Sequence, residues 1–132
     1  IGVDLKKDVH RLHAAYNDAQ GVTAEFNLNI LRRIQRELGA QVDVDSFRHE
    51  AFYNETQGRI EMHLVSLRPQ QIHIGNAVFH FEKDERLHTE NSYKYTVEEF
   101  QALAHSAGYT PHTVWTDAQR LFSVHYLQVA GH

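Results

Sequence analysis

The sequence predicts an α+β fold in which a helical hairpin packs on an antiparallel meander sheet. Three observations carry that reading. Apolar residues recur at helical spacing over the first third of the chain. From Phe47 to Tyr95 the period shortens to two, as strands require. A capping box at Thr96 then opens one more helix, ahead of a last pair of strands.

The 132 residues carry 13 Lys+Arg against 17 Asp+Glu, a formal net charge of −4, with 42% hydrophobic residues. A chain of this size and balance buries one sizeable core. Cysteine is absent, which excludes disulfides, thiolate metal sites and a cysteine nucleophile. No apolar run approaches the ~20 residues of a membrane span. No Lys/Arg cluster marks a nucleic-acid surface. A soluble, cytoplasmic domain with neither membrane nor nucleic acid as partner is expected.

The first element is a strand, Ile1-Gly2-Val3-Asp4-Leu5, without an initiator Met. A short apolar strand needs hydrogen-bonded neighbours. The expectation is therefore that the chain is the C-terminal part of a longer protein. Asp8 is placed to cap a helix carrying Val9, Leu12 and Tyr16. Gly21 interrupts, and Thr23 opens a second helix in which Phe26, Ile30, Ile34 and Leu38 recur every four residues. Gly39 is its expected left-handed stop.

Strands follow at Phe47 to Tyr53, Arg59 to Leu67, Gln71 to Ile74, Val78 to Phe81 and Arg86 to Tyr95. Turns lie at 54–58 and at Gly75-Asn76. Thr96 and Glu99 cap the next helix, whose expected buried face is Phe100, Leu103, Ala104 and Ala107. Strands at Thr113 to Thr116 and Leu121 to Val129 close the chain, with Ile1–Leu5 expected beside them.

The chemistry is sparse. Eleven histidines invite a metal reading, with His10 and His13 on a helix and His63, His73, His80 and His88 on candidate strands. No His-Glu-x-x-His or His-x-His pattern supports it, so they are read as scattered and no metal is expected. Serine-hydrolase and phosphate-cradle motifs are missing. The informative stretch is Leu87 to Tyr95. On a strand Glu90 and Ser92 share one face, with Thr89 and Asn91 opposite. A carboxylate beside a hydroxyl suits a planar two-nitrogen ring such as imidazole, which offers one N–H and one bare nitrogen. An exposed polar strand face is the plainer alternative. A second island, Ala15 to Thr23, sets Tyr16 and Thr23 around a helix–helix turn.

Taken together, "AAYNDAQGVTAEFNLNIL", "RIEMHLVSL", "HTENSYKYTVEEF" and "VWTDAQRLFSVHYL" resemble the C-terminal half of the histidine-specific S-adenosylmethionine methyltransferases. These are the histidine N-α-methyltransferases that make hercynine on the way to ergothioneine. The resemblance covers essentially the whole chain. It implies a Rossmann-like cofactor domain carrying an inserted substrate-binding domain. Residues 1–7 would end a cofactor-domain strand, 8–95 would form the insert, and 96–132 would return to the cofactor domain.

The resemblance also assigns residues. Tyr16 matches the tyrosine holding the amino-acid end of the substrate, and Glu90 and Ser92 match the pair that reads the imidazole. Met62 matches an apolar wall, Thr23 a polar neighbour near the amine, and Asn91 lies between the ring-binding pair with its side chain facing away. The cofactor would be S-adenosyl-L-methionine, bound mainly by an upstream half, with no metal needed. The substrate would be histidine, and the segment alone would be inactive. Its unsatisfied strand edges would invite pairing with a second copy. Two alternatives stand beside this: a methyltransferase of the same family acting on another amino acid or amine, and a non-enzymatic binding module.

Overall fold

The computed structural model describes residues 1–131. Strand β1 (Gly2–Asp4) leads into α1 (Val9–Tyr16) and α2 (Val22–Leu38), followed by a 3-10 turn at Val44–Ser46. Then come β2 (Phe47–Asn54), β3 (Arg59–Ser66), β4 (Gln70–Ile74), β5 (Ala77–Phe81) and β6 (Arg86–Tyr93). Helix α3 (Val97–Ser106) and strands β7 (Tyr109–Thr116) and β8 (Phe122–Val129) complete the chain.

The α+β class holds, and the element ends follow capping chemistry. The Asp8 carboxylate accepts from Arg11 N–H at 3.2 Å and starts α1. Helix α2 starts differently from the sequence reading. Gly21 takes the cap position, and the Asp18 carboxylate accepts from Val22 N–H (2.9 Å) and Thr23 N–H (3.0 Å). Gly39, at φ +63°, ends it as expected. Thr96 and Glu99 form the full reciprocal capping box of α3, at 3.1 and 2.9 Å.

The five middle strands do not form one meander. They divide into a sheet β2-β3-β6 and a separate hairpin β4-β5, all antiparallel. The physical reason is where the hairpin's apolar side chains go. Ile72 is buried with Leu31, Phe47 and Leu64, and Phe81 meets Phe47 edge-on at 5.5 Å. The hairpin closes the end of the core under α2, and β6 takes the vacated place beside β3. Strand β6 stops at Tyr93 because Tyr95 leaves to pair with Leu5.

Two helix faces also differ from their spacing. The Phe26/Ile30/Leu38 stripe of α2 lies exposed, and Asn27 and Leu31 face the core instead. On α3, Val97, Phe100 and Ala104 are buried while Leu103 and Ala107 border an open cavity of about 490 Å³ against β8. Strand β1 pairs with β8, which pairs with β7, in a third sheet. Ile1–Leu5 therefore sits beside the closing strands, as anticipated. No helix among the described residues is long and apolar enough to cross a membrane.

Candidate active site

Helix α1 ends at Tyr16, and that end is fixed to the free edge of β2. Asn17 Nδ2 donates to the Ala51 carbonyl (2.9 Å) and its Oδ1 accepts from Ala51 N–H (3.3 Å). His13 Nε2 accepts from Tyr53 N–H at 3.0 Å. Leu12 buries itself with Ala51, Ile60 and Met62, so packing sets the helix height and polar contacts set its register.

Across the sheet, Ile60 stands opposite Ser92 and Met62 opposite Glu90. Glu90 and Ser92 thus share the face that α1 covers, as the alternation predicts. The Tyr16 hydroxyl lies 2.9 Å from Ser92 Oγ. Met62 is buried beneath them, within the same apolar cluster that Tyr16 packs against. Glu90 is exposed, and among the described residues its carboxylate takes no hydrogen bond or ion pair from a side chain. Thr23 is tied elsewhere, its hydroxyl donating to the Ala15 carbonyl at 3.3 Å, and among the described residues no hydrogen bond joins it to the others. Asn91 faces the opposite side, where its Oδ1 meets His88 Nε2 at 2.6 Å.

Thr89 departs from simple alternation. A β-bulge leaves it as the extra residue between the Met62–Glu90 and His63–His88 pairs. Its side chain turns toward α2, and its hydroxyl reaches Asn27 Oδ1 (2.7 Å) and the Met62 carbonyl (3.0 Å). Asn27, fully buried, donates to the His63 carbonyl (3.1 Å) and to His49 Nδ1 (2.9 Å). His49 Nε2 faces the Tyr16 carbonyl at 2.8 Å. A carbonyl only accepts, so the His49 proton is on Nε2 and Nδ1 is bare. The bulge is wired to Tyr16 through three polar side chains.

The residue that sequence reasoning passed over is Lys94. It is 2% exposed, and its three ammonium protons go to Asp4 Oδ2 (2.7 Å), Tyr16 Oη (2.8 Å) and Ser92 Oγ (3.0 Å). Burial alone would raise the Asp4 carboxyl, but hydrogen bonds from Lys7 and Lys94 override it and hold it below the ordinary carboxylate range. The signal was spacing: Lys94 follows Ser92 by two and Glu90 by four, on the same face of an extended chain.

Lys94, Tyr16 and Ser92 form a triangle with countable protons. Lys94 donates to both hydroxyls, and a single proton serves the Tyr16–Ser92 bond. One hydroxyl proton is left over and is offered outward. With Tyr16 donating to Ser92, the free donor is Ser92. Beside it stands Glu90, which when ionised only accepts.

Residues 1–129 match the family described as histidine-specific methyltransferase, SAM-dependent. The chain belongs to that family. It is 41% identical over 119 residues to histidine N-alpha-methyltransferase of Mycobacterium tuberculosis, covering 89% of this chain and 37% of the mycobacterial protein. It is 32% identical to ergothioneine biosynthesis protein 1 of Neurospora crassa, over 88% of this chain and 13% of that protein. N-methyltransferase imqF of Aspergillus flavus is 26% identical over 98% of this chain and 35% of its own length. The chain therefore spans little more than a third of the mycobacterial relative's length.

Proposed function

We propose that this chain supplies the substrate wall of an enzyme that methylates the α-amino group of histidine three times, as in ergothioneine biosynthesis. The observation that carries the reading is the pairing of one donor, Ser92, with one acceptor, Glu90, on one face above Met62. A neutral imidazole needs that complement. Glu90 accepts from the ring N–H distal to the amino-acid end, and Ser92 donates to the bare proximal nitrogen. Tyr16, next to Ser92, then stands at the amine, its oxygen keeping one lone pair after Lys94 has taken the other. Thr23 stays a neighbour of that end rather than a contact.

S-adenosyl-L-methionine would supply the methyl group. The residues around Tyr16 do not fit its binding site, because Lys94 and Asp4 neutralise each other and the chain has no glycine-rich turn. Its site is assigned to the rest of the protein, and the isolated chain is inactive. The work of this chain is to orient the amine and to select the ring. The separate β1-β8-β7 sheet supports the division into 1–7 and 96–132 as cofactor-domain ends and 8–95 as an insert. The Lys6 N–H to Tyr95 carbonyl bond of 2.9 Å joins the insert's entry and exit. Histidine is the partner, in the cytoplasm, with neither nucleic acid nor membrane.

The test is steady-state kinetics on the full-length protein. Glu90→Ala should raise KM for histidine by about one to two decades with a smaller change in kcat, since a charge-assisted bond is lost. If Glu90→Ala and Tyr16→Phe both keep kcat/KM within about twofold, the site assignment is wrong. The imqF likeness favours a second reading, a sister enzyme acting on another amine. Substrate profiling separates the two.

A further inference from the structure

The face of the β2-β3-β6 sheet turned away from Tyr16 carries a second cluster. The bulge at Thr89 brings His88 into register with His63, and their rings stack with centroids 4.4 Å apart. Phe52 stacks on the other side of His63 at 5.2 Å. Glu61, two residues before His63 on β3, reaches both imidazoles: Oε2 is 3.9 Å from His63 Nε2 and Oε1 is 3.7 Å from His88 Nε2. One ligand atom from each of the three lies within 4.8 Å of the others.

We propose that Glu61, His63 and His88 form a binding site for a divalent transition ion of the zinc class. Two imidazoles and a carboxylate are the donor set that Zn²⁺, Co²⁺ and Ni²⁺ take, usually with water or an amide oxygen as a further ligand. The second observation is His63 itself. Its side chain is nine-tenths buried, and among the described residues neither ring nitrogen has a hydrogen-bond partner. An imidazole buried with both nitrogens idle is destabilising, and an ion on the Glu61 side would give Nε2 its partner.

Ligand atoms around tetrahedral zinc stand about 3.3 Å apart, whereas these lie within 4.8 Å of one another, so the cluster must contract by up to about 1.5 Å. His88 supplies the movement. It is exposed, at the open rim of the cluster, and gives an ion its way in. Its Nε2 faces Asn91 Oδ1 at 2.6 Å, so an ion that replaces the proton there finds the Asn91 amide oxygen as a fourth ligand. Arg59 also holds Glu61, at 2.8 Å, and must share it. The bound ion would tie β3 to β6 at the bulge, two residues from Glu90, on the side of the sheet that the substrate pair does not use.

The experiment uses the untagged chain, stripped of metal, titrated with Zn²⁺ by calorimetry and with Co²⁺ by visible absorption. One equivalent should bind with Kd of about 10 µM or tighter, and Zn²⁺ should raise the melting temperature. His88→Gln, at an exposed position and so expected to fold, should weaken binding at least about tenfold and abolish the thermal shift. His112→Gln, far along the chain on β7, should leave both unchanged. The proposal falls if no single-equivalent binding is seen below about 1 mM, or if His88→Gln binds as the parent does. That second result would assign the ion to other histidines among the eleven.

Discussion

Lys94 Nζ lies 2.8 Å from the Tyr16 hydroxyl and 2.7 Å from the Asp4 carboxylate, so one buried cation joins the first strand to the end of α1. The two partners of this ion pair are not equivalent. Asp4 is about a third exposed and is also bonded by Lys7, whereas Lys94 is almost wholly buried and has no other anion among the described residues.

The first prediction is an asymmetry between two substitutions. Asp4→Asn strands a buried ammonium and should destabilise the chain by about 3 kcal/mol at pH 7. Lys94→Met leaves Asp4 with Lys7 and should lose less, about 1 kcal/mol. The acid limb carries the sign. Asp4 is depressed in the folded state, so its contribution is present above the ordinary carboxylate value and is lost as pH falls through the lower folded one. Urea unfolding at pH 7 and pH 3 should therefore show the gap between parent and Asp4→Asn narrowing on acidification. A gap that holds constant would mean Asp4 is not the counter-ion.

The second prediction concerns the ring. If Ser92 donates to the proximal nitrogen and Glu90 accepts from the distal N–H, histidine methylated on either ring nitrogen should be a poor substrate of the full-length protein. A loss of at least about tenfold in kcat/KM is expected for each. Glu90→Ala should restore much of the loss for the distally methylated ring only. Equal rescue of both would show that the two residues do not read separate nitrogens.

The local pattern made the elements legible, because caps and turns act within four residues. Asp8, Gly39 and the Thr96–Glu99 box could be read without any tertiary knowledge, and so could the shared face of Glu90 and Ser92. What failed depended on distance. The fate of β4 and β5 is decided by Ile72 and Phe81 finding Leu31 and Phe47, contacts with no trace in a period of two. Asn27 lies off the apolar stripe of α2, and its burial is set by His49, His63 and Thr89, all distant in sequence. Glu61, His63 and His88 likewise look scattered, since the bulge that gathers them inserts one residue no motif announces.

The third prediction is self-association of the isolated chain. Phe122, Val124 and Tyr126 alternate onto one face of β8 and are all about half exposed, with Trp115 opposite Val124 on β7. A contiguous apolar face of this kind favours burial against a second copy. Light scattering should give a mass that rises with concentration, and emission from Trp115, the sole tryptophan, should shift to the blue. Val124→Glu should hold the chain monomeric. A constant monomer mass for the parent at millimolar concentration would refute the association.

The last prediction tests the relay from the bulge to Tyr16. Thr89→Val keeps the branched shape that suits a strand and removes only the hydroxyl. Asn27 Oδ1, fully buried, then loses its donor, and the loss should be about 1–3 kcal/mol. Thr89→Ser, which retains the hydroxyl, should recover most of it. The consequence reaches further than stability. Asn27 orients His49, and His49 holds the Tyr16 carbonyl, so a loosened Asn27 lets the end of α1 move relative to Ser92. If Tyr16 and Glu90 act as proposed, Thr89→Val in the full-length protein should lower kcat more than it raises KM, because a misplaced amine slows the transfer itself while the ring contact is kept. Denaturant unfolding and kinetics on the same three proteins decide it. If Thr89→Val unfolds with the parent's midpoint, the hydroxyl takes no part in holding Asn27. If it is destabilised but kcat is unchanged, the relay ends at Asn27 and does not govern Tyr16.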